Sequence, residues 1–317
     1  MAILVTGTAG FIGFHLAKRL LEDGQEVVGY DNVNDYYDPA LKHARLEILK
    51  KTDLFHFSQN DLCDLPALES VFQRYSIQKI VHLAAQAGVR YSLINPFAYQ
   101  KSNLEGFLNI IECAKRARVE NFIYASSSSV YGNNTKLPFA VEDNVDRPIS
   151  LYAATKKADE LIAHTYAHLY QLPCTGFRFF TVYGPYGRPD MALFIFTKNI
   201  LEGKPIDVYN FGKMKRDFTY IDDIVSGLIS ALGKPFSYEI FNLGNHKSEN
   251  LMDFIRLIED YLGKKATINF QPIQPGDVPE TFADITATTE KLGFFPTTSI
   301  DVGVRKFLDW YTNFYRI

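Results

Sequence analysis

Short apolar runs alternate with stretches of helical periodicity along the first half of the chain. Residues 2–6 (Ala-Ile-Leu-Val-Thr) form a compact apolar run, read as a buried parallel strand. His15, Leu16, Leu20 and Leu21 then repeat at helical spacing. Further strands are predicted at Glu26–Tyr30, Leu54–Ser58, Lys79–Leu83, Asn121–Ala125 and Pro173–Phe179. Helices are predicted over 65–75 and 96–118, and from an N-capping Ser150 through about Tyr170. Strands alternating with helices predict a parallel, doubly wound α/β sheet. Beyond Thr181 the pattern loosens. A helix is expected after Pro189, a strand at Ile206–Tyr209, a helix over Ile221–Leu232 and a strand at Glu239–Leu243. Helices over 250–262 and 300–314 complete the chain. The expected division is a large domain over 1–180, to which later segments return, and a smaller mixed α/β lobe over 181–317.

Composition narrows the class. A chain of 317 residues, 47% hydrophobic and 22% charged, has the balance of a globular protein. A net charge of −3 supplies no general field for nucleic acid or anionic membrane, so any anion must be held locally. Cys63, Cys113 and Cys174 are scattered and lack C-x-x-C spacing. They suggest neither a disulfide framework nor a zinc site, and no metal is expected. A reducing, cytoplasmic setting is expected, with no signal peptide ahead of the strand at Ala2. No apolar run approaches the roughly 20 residues that cross a bilayer.

Chemistry concentrates at predicted strand ends. Gly7-Thr8-Ala9-Gly10-Phe11-Ile12-Gly13 lies between the first strand and the first helix. Glycines at that spacing allow a tight turn, close approach to a pyrophosphate, and packing of the helix on the strand. This marks a Rossmann-type dinucleotide fold. Asp31, at the second strand end, accepts hydrogen bonds from an adenosine ribose and repels a 2′-phosphate, so NAD is favoured over NADP. Asp61, the small residues Ala84-Ala85 and the run Ser126–Ser129 fall at later strand ends, where ligands of such sheets bind. Tyr152 and Lys156 are four apart on a predicted helix and share one face. A free tyrosine, with a pKa of about 10, is a poor base at neutral pH. A nearby ammonium favours its phenolate, and a serine hydroxyl shares the proton of a substrate alcohol.

These residues together resemble the extended short-chain dehydrogenase/reductase family, and within it the UDP-glucuronate 4-epimerases. The likeness covers nearly the whole chain. It is carried by DNVNDYY (Asp31–Tyr37), LAAQAGVRYS (Leu83–Ser92), ASSSSVYG (Ala125–Gly132) and LYAATKK (Leu151–Lys157). RFFTVYGPYGRPDMALF (Arg178–Phe194), RDFTYIDD (Arg216–Asp223) and QPGDVP (Gln274–Pro279) extend it. Thr8 departs from the alanine that many members carry. The resemblance implies NAD contacts at Gly7, Gly10, Phe11, Ile12, Gly13, Asp31, Asn32, Asp61, Leu62, Ala84, Tyr152 and Lys156. It implies catalytic roles for Ser127, Tyr152 and Lys156.

Substrate residues also follow from the resemblance. Ser129 and Thr181 would lie near the sugar. Arg188 would meet a uronate carboxylate, a pairing that suits a planar guanidinium. Arg216 would hold the diphosphate and Asp277 the nucleotide ribose. Gln274 stands where some UDP-hexose epimerases carry arginine, and Arg90 is either an anion contact or a surface charge. The stripe Phe179, Phe180, Phe194 and Phe196 is expected in the core. Related 4,6-dehydratases carry an Asp-Glu pair where this chain has Ser128-Ser129, and related decarboxylases carry Glu at Ser129. The expected activity is NAD-dependent inversion at C4 of a UDP-uronic acid. The alternatives are a UDP-glucose/UDP-galactose epimerase, a UDP-glucuronate decarboxylase and an NAD-sensing protein. Family members often dimerise through the helices near 96–118 and 150–170, so a homodimer is expected.

Overall fold

The computed structural model describes residues 1–317. The first half contains strands β1 (Ala2–Thr6), β2 (Glu26–Asp31), β3 (Phe55–Gln59), β4 (Ile77–His82), β5 (Asn121–Ser127) and β6 (Cys174–Phe179). Between them lie helices α1 (Phe11–Glu22), α2 (Pro39–Leu49), α3 (Leu65–Arg74), α4 (Val89–Ile94), α5 (Pro96–Tyr99), α6 (Gly106–Ala117) and α7 (Leu151–Tyr170). The second half adds β7 (Thr181–Tyr183), α8 (Ala192–Leu201), β8 (Ile206–Val208), β9 (Lys215–Arg216) and β10 (Phe218–Tyr220). It continues through α9 (Ile221–Leu232), β11 (Tyr238–Leu243), β12 (Glu249–Asn250), α10 (Leu251–Leu262), β13 (Ile268–Phe270), α11 (Thr286–Leu292) and α12 (Ile300–Tyr315).

Seven strands form one sheet in the order β11-β6-β5-β4-β1-β2-β3. Every pairing in it is parallel. The strand order reverses between β1 and β4, which opens a crevice at the carboxyl ends of those strands. The apolar runs are continuous because both faces of the sheet are covered. Ile3, Val5, Val27, Val81 and Ile123 join the core on one face. Ala2, Leu4, Val28, Ile80 and Phe122 join the core on the other, beneath α3, α6 and α7. The first core runs on without a break into the second half, through Phe194, Phe254, Phe307 and Tyr311. A late segment, β11, closes the β6 edge of the sheet. The rest of the second half holds three two-stranded pairings, β10-β7, β12-β9 and β13-β8.

Ser150 caps α7 as expected, its hydroxyl accepting from the Ala153 amide at 3.1 Å. The helix expected over 96–118 is not regular. It consists of α5, a π-turn over Gln100–Glu105, and α6. Asn103 lies in the π-turn and is buried. Its side chain accepts from the Gln86 amide at 2.8 Å and donates to the Gln86 carbonyl and the Thr155 hydroxyl, both at 3.0 Å. Such widened turns are where a helix trades regularity for a specific contact.

Candidate active site

A cavity of about 460 Å³ opens above the carboxyl ends of the central strands. The glycine turn forms one end of it. Gly7 has φ +76°, and a Cβ there would stand 2.8 Å from the Ala84 amide nitrogen. At Gly13 a Cβ would meet the Gly7 carbonyl oxygen at 2.1 Å, so α1 packs against the turn only without a side chain there. No side chain caps α1, which leaves its first amides directed at the cavity end. Gly7, Gly10, Phe11, Ile12 and Gly13 all line the wall.

Asp31 ties the end of β2 to this turn. Its carboxylate accepts from the Ala9 amide at 3.0 Å and the Val33 amide at 2.8 Å. Burial pushes its pKa above the ordinary value, against the pull of the Val33 amide and of Lys42. Asn32 donates to Asp61 at 2.7 Å, and the Cys63 amide donates to the other Asp61 oxygen at 2.9 Å. Partial burial opposes ionisation of Asp61, but these bonds outweigh it and hold the carboxyl below its usual range. Asp31, Asn32, Asp61, Leu62 and Ala84 share the same wall. Thr8 is fully buried and donates to the Val5 carbonyl at 3.0 Å, so its departure from alanine is absorbed inside the turn.

The middle of the cavity carries Ser127, Ser128, Ser129, Tyr152 and Lys156. β5 runs two residues further than expected, through Ser127, and a 3₁₀ turn over Ser128–Tyr131 follows. Ser127 donates to the Ser129 hydroxyl at 3.1 Å and accepts from the Ser129 amide at 3.2 Å. Lys156 is almost wholly buried and donates to Asp159 at 3.1 Å. Burial pushes the Asp159 carboxyl up to about 7 against the pull of Lys156. Ser126 is different: it donates to Glu160 at 2.7 Å, and Arg178 pairs with the same carboxylate at 2.8 and 3.0 Å. Glu160 is therefore committed to a buried ion pair. His82 stays neutral, its pKa lowered to about 3 by burial and by Lys156.

The far end holds the expected substrate residues in a paired state. Arg188 lines the cavity, but its guanidinium is bonded to Asp190. Arg216 donates to Asp277 at 2.8 Å, and Arg90 stands 3.8 Å from the same carboxylate. Thr181, Ser129 and Asp277 line the cavity, whereas Arg216 lies outside its wall, behind Asp277. Arg90 also sits over the Tyr209 ring at 4.6 Å, so it belongs to the cluster around Asp277. Phe179, Phe180, Phe194 and Phe196 are buried in the core as expected.

Residues 3–244 match the model of the NAD dependent epimerase/dehydratase family. This chain belongs to that family. UDP-glucuronate 4-epimerase 4 of Arabidopsis thaliana is 48% identical over 333 residues, covering 99% of this chain and 76% of the relative. The crystal structure of Bacillus cereus UDP-glucuronic acid 4-epimerase, in complex with UDP-glucuronic acid and NAD, is 36% identical with a TM-score of 0.93. The match covers 99% of this chain and 100% of that one. UDP-glucose 4-epimerase from Thermotoga maritima, solved with UDP-glucose, is 30% identical with a TM-score of 0.90. That match covers 99% of this chain and 100% of the other.

The residues present fit the family's cofactor, NAD. The glycine turn is a tight cradle in which a Cβ at Gly7, Gly10 or Gly13 would strike the chain's own backbone, and uncapped helix amides suit a pyrophosphate. Asp31 stands at the end of β2 and lines the cavity, where a carboxylate suits ribose hydroxyls. Sequence reasoning missed several residues of the same wall: Asn34, Tyr36, Tyr37, Lys42, Gln86 and Met191. The crowded polar and aromatic run Asn32–Tyr37 was the available signal. Gln86 lies within LAAQAGVRYS, but Lys42 had no signal, since a buried lysine on a helix reads as a surface charge.

Proposed function

We propose that this chain is a nucleotide-sugar 4-epimerase that converts UDP-glucuronate to UDP-galacturonate with NAD as resident cofactor. The supporting observation is one cavity that runs from the glycine turn past Ser127, Tyr152 and Lys156 to Arg188. Bound NAD supplies the chemistry of taking the C4 hydride and returning it. The protein's residues manage the proton and the sugar. Lys156 follows Tyr152 by one turn of α7, and both side chains line the cavity. Tyr152, assisted by Ser127, removes the O4 proton as C4 becomes a ketone, and gives it back when the alcohol re-forms. Gly7, Gly10, Phe11, Ile12, Gly13, Asp31, Asn32, Asp61, Leu62 and Ala84 bind the dinucleotide. Ser129, Thr181, Arg188, Arg216 and Asp277 bind the UDP-sugar. Inversion requires the 4-keto sugar to turn over and present its other face.

The 4-keto form of a uronate is a β-keto acid, prone to lose carbon dioxide. No carboxylate stands among Ser127, Ser128 and Ser129 to assist an elimination or a ring proton transfer. A second reading, a neutral UDP-glucose/UDP-galactose epimerase, is favoured by the pairing of Arg188 with Asp190. Arg188→Ala separates the two. On the uronate reading it raises KM for UDP-glucuronate roughly tenfold or more and leaves KM for UDP-glucose nearly unchanged. The central experiment is a proton NMR time course with UDP-glucuronate and no added NAD. UDP-galacturonate is the expected product, a UDP-pentose would indicate decarboxylation, and an unchanged spectrum would defeat the reading.

The substrate-binding lobe comprises 181–317 without β11, and the NAD-binding domain comprises 1–180 together with it. The working form is a homodimer. Leu93, Ile94, Phe97 and Leu108 are exposed on α4, α5 and α6, beside Leu151, Leu161 and Leu169 at helical spacing on α7. An apolar stripe of that kind on adjacent helices suits a second copy of itself. A cytoplasmic setting accords with UDP-sugar chemistry, and no helix is long and apolar enough to cross a membrane.

A further inference from the structure

Arg188 reaches the cavity, yet one edge of its guanidinium is already engaged within the chain. Nε donates to Asp190 Oδ1 at 3.0 Å and Nη2 to Asp190 Oδ2 at 2.5 Å. The Tyr36 hydroxyl donates to the same Oδ2 at 3.1 Å. This is the two-bond fork that a guanidinium offers to any carboxylate, and a residue two positions along fills it. Burial works against both charges, but each ion sustains the other: Asp190 is held below the usual carboxylate range and Arg188 above its ordinary value. Nη1 makes no hydrogen bond within the chain.

We propose that Asp190, seated by Tyr36, is a positioning residue that limits the grip of Arg188 on the sugar's carboxylate; the proposal rests on the uronate reading above. With Asp190 in place the sugar meets only the Nη1 end of the guanidinium. It also faces a pair whose charges cancel. The hold is therefore looser than a free arginine would give. A loose hold suits this reaction, because the keto sugar must turn over between loss and return of the hydride. A complete fork would pin the carboxylate, and with it one face of the ring. A neutral hexose has no carboxylate and is indifferent to Asp190.

The test compares binding and turnover of charged and neutral sugars. UDP-glucuronate and UDP-glucose are titrated calorimetrically into NAD-loaded Tyr152→Phe and Tyr152→Phe/Asp190→Asn proteins, in which turnover is slowed by roughly 10²–10⁴. Asp190→Asn is expected to tighten UDP-glucuronate by roughly three- to tenfold and to shift UDP-glucose by less than about twofold, the scale of one partly screened charge. In the otherwise wild-type enzyme Asp190→Asn lowers KM for UDP-glucuronate and lowers kcat with it, a split that a merely structural role does not produce. Tyr36→Phe keeps the carboxylate but removes one of its bonds, and shifts the same constants in the same direction by less. Equal shifts for both sugars, or weaker uronate binding in Asp190→Asn, would overturn the proposal. Because the titration needs no catalysis, it reads the Asp190 effect even if the wild-type enzyme fails to epimerise UDP-glucuronate, the result that would instead overturn the proposed function.

Discussion

Asp159 is the carboxylate within ion-pair distance of Lys156, and both side chains are buried. An unfolded aspartate ionises near 3.9, whereas folding moves this one to about 7. Between those values the folded chain holds a proton that the unfolded chain has released. The stability linked to Asp159 is thus complete below about pH 4 and is lost as pH rises through about 7. Urea midpoints of the wild type and Asp159→Asn should therefore differ more in the wild type's favour at pH 5 than at pH 8. An identical difference at both pH values would mean that Asp159 ionises normally. Tyr152 allows a sharper test of chemistry against structure. Its ring packs edge-on to Tyr99 with centroids 6.0 Å apart, and Tyr152→Phe keeps that contact. We expect kcat to fall by roughly 10²–10⁴ while bound NAD and the melting temperature are retained. Loss of NAD in parallel with activity would assign the hydroxyl to cofactor binding alone.

Among the elements, the glycine turn and α1 tolerate the least change. Gly13→Ala would place a Cβ within 2.1 Å of the Gly7 carbonyl oxygen, so the turn must open or the helix must move. The expected result is a folded protein that purifies without NAD, seen as a lower ratio of absorbance at 260 to 280 nm; full retention of the dinucleotide would contradict the cradle. That turn was legible because three glycines at three-residue intervals lie between a strand and a helix. The strands of the large sheet were legible for a related reason: burial on both faces leaves an unbroken apolar run. Other elements left weaker traces. α2 was missed because its buried positions include Lys42 and Arg45, which imitate a solvated face. The interruption at Gln100–Glu105 was hidden because Asn103 satisfies partners, Gln86 and Thr155, that lie far away in sequence. Strands of two or three residues, such as β9 and β12, carry too few positions to show a period. At the site, single residues and their spacing were readable, but the pairings Arg188–Asp190 and Arg216–Asp277 were not. Each depends on where a loop carries its side chains.

For the molecule as a whole, the exposed apolar face of α4, α5, α6 and α7 sets the expected assembly. Ile94 and Phe97 are 77% and 74% exposed. Ile94→Glu/Phe97→Glu should convert a dimer to a monomer in light scattering, with NAD still bound. A dimer that survives both charges would place the interface elsewhere. The sheet has a different vulnerability. Its edge strand β11 emerges from the ribosome only after the long stretch from 180 to 237, yet it pairs with β6. Until then the newly made β6, with Phe177 and Phe179 on it, presents unsatisfied backbone groups to solvent. A ribosome stalled between those points would display a sticky, half-finished ledge, and nascent chains held there are natural customers for a chaperone.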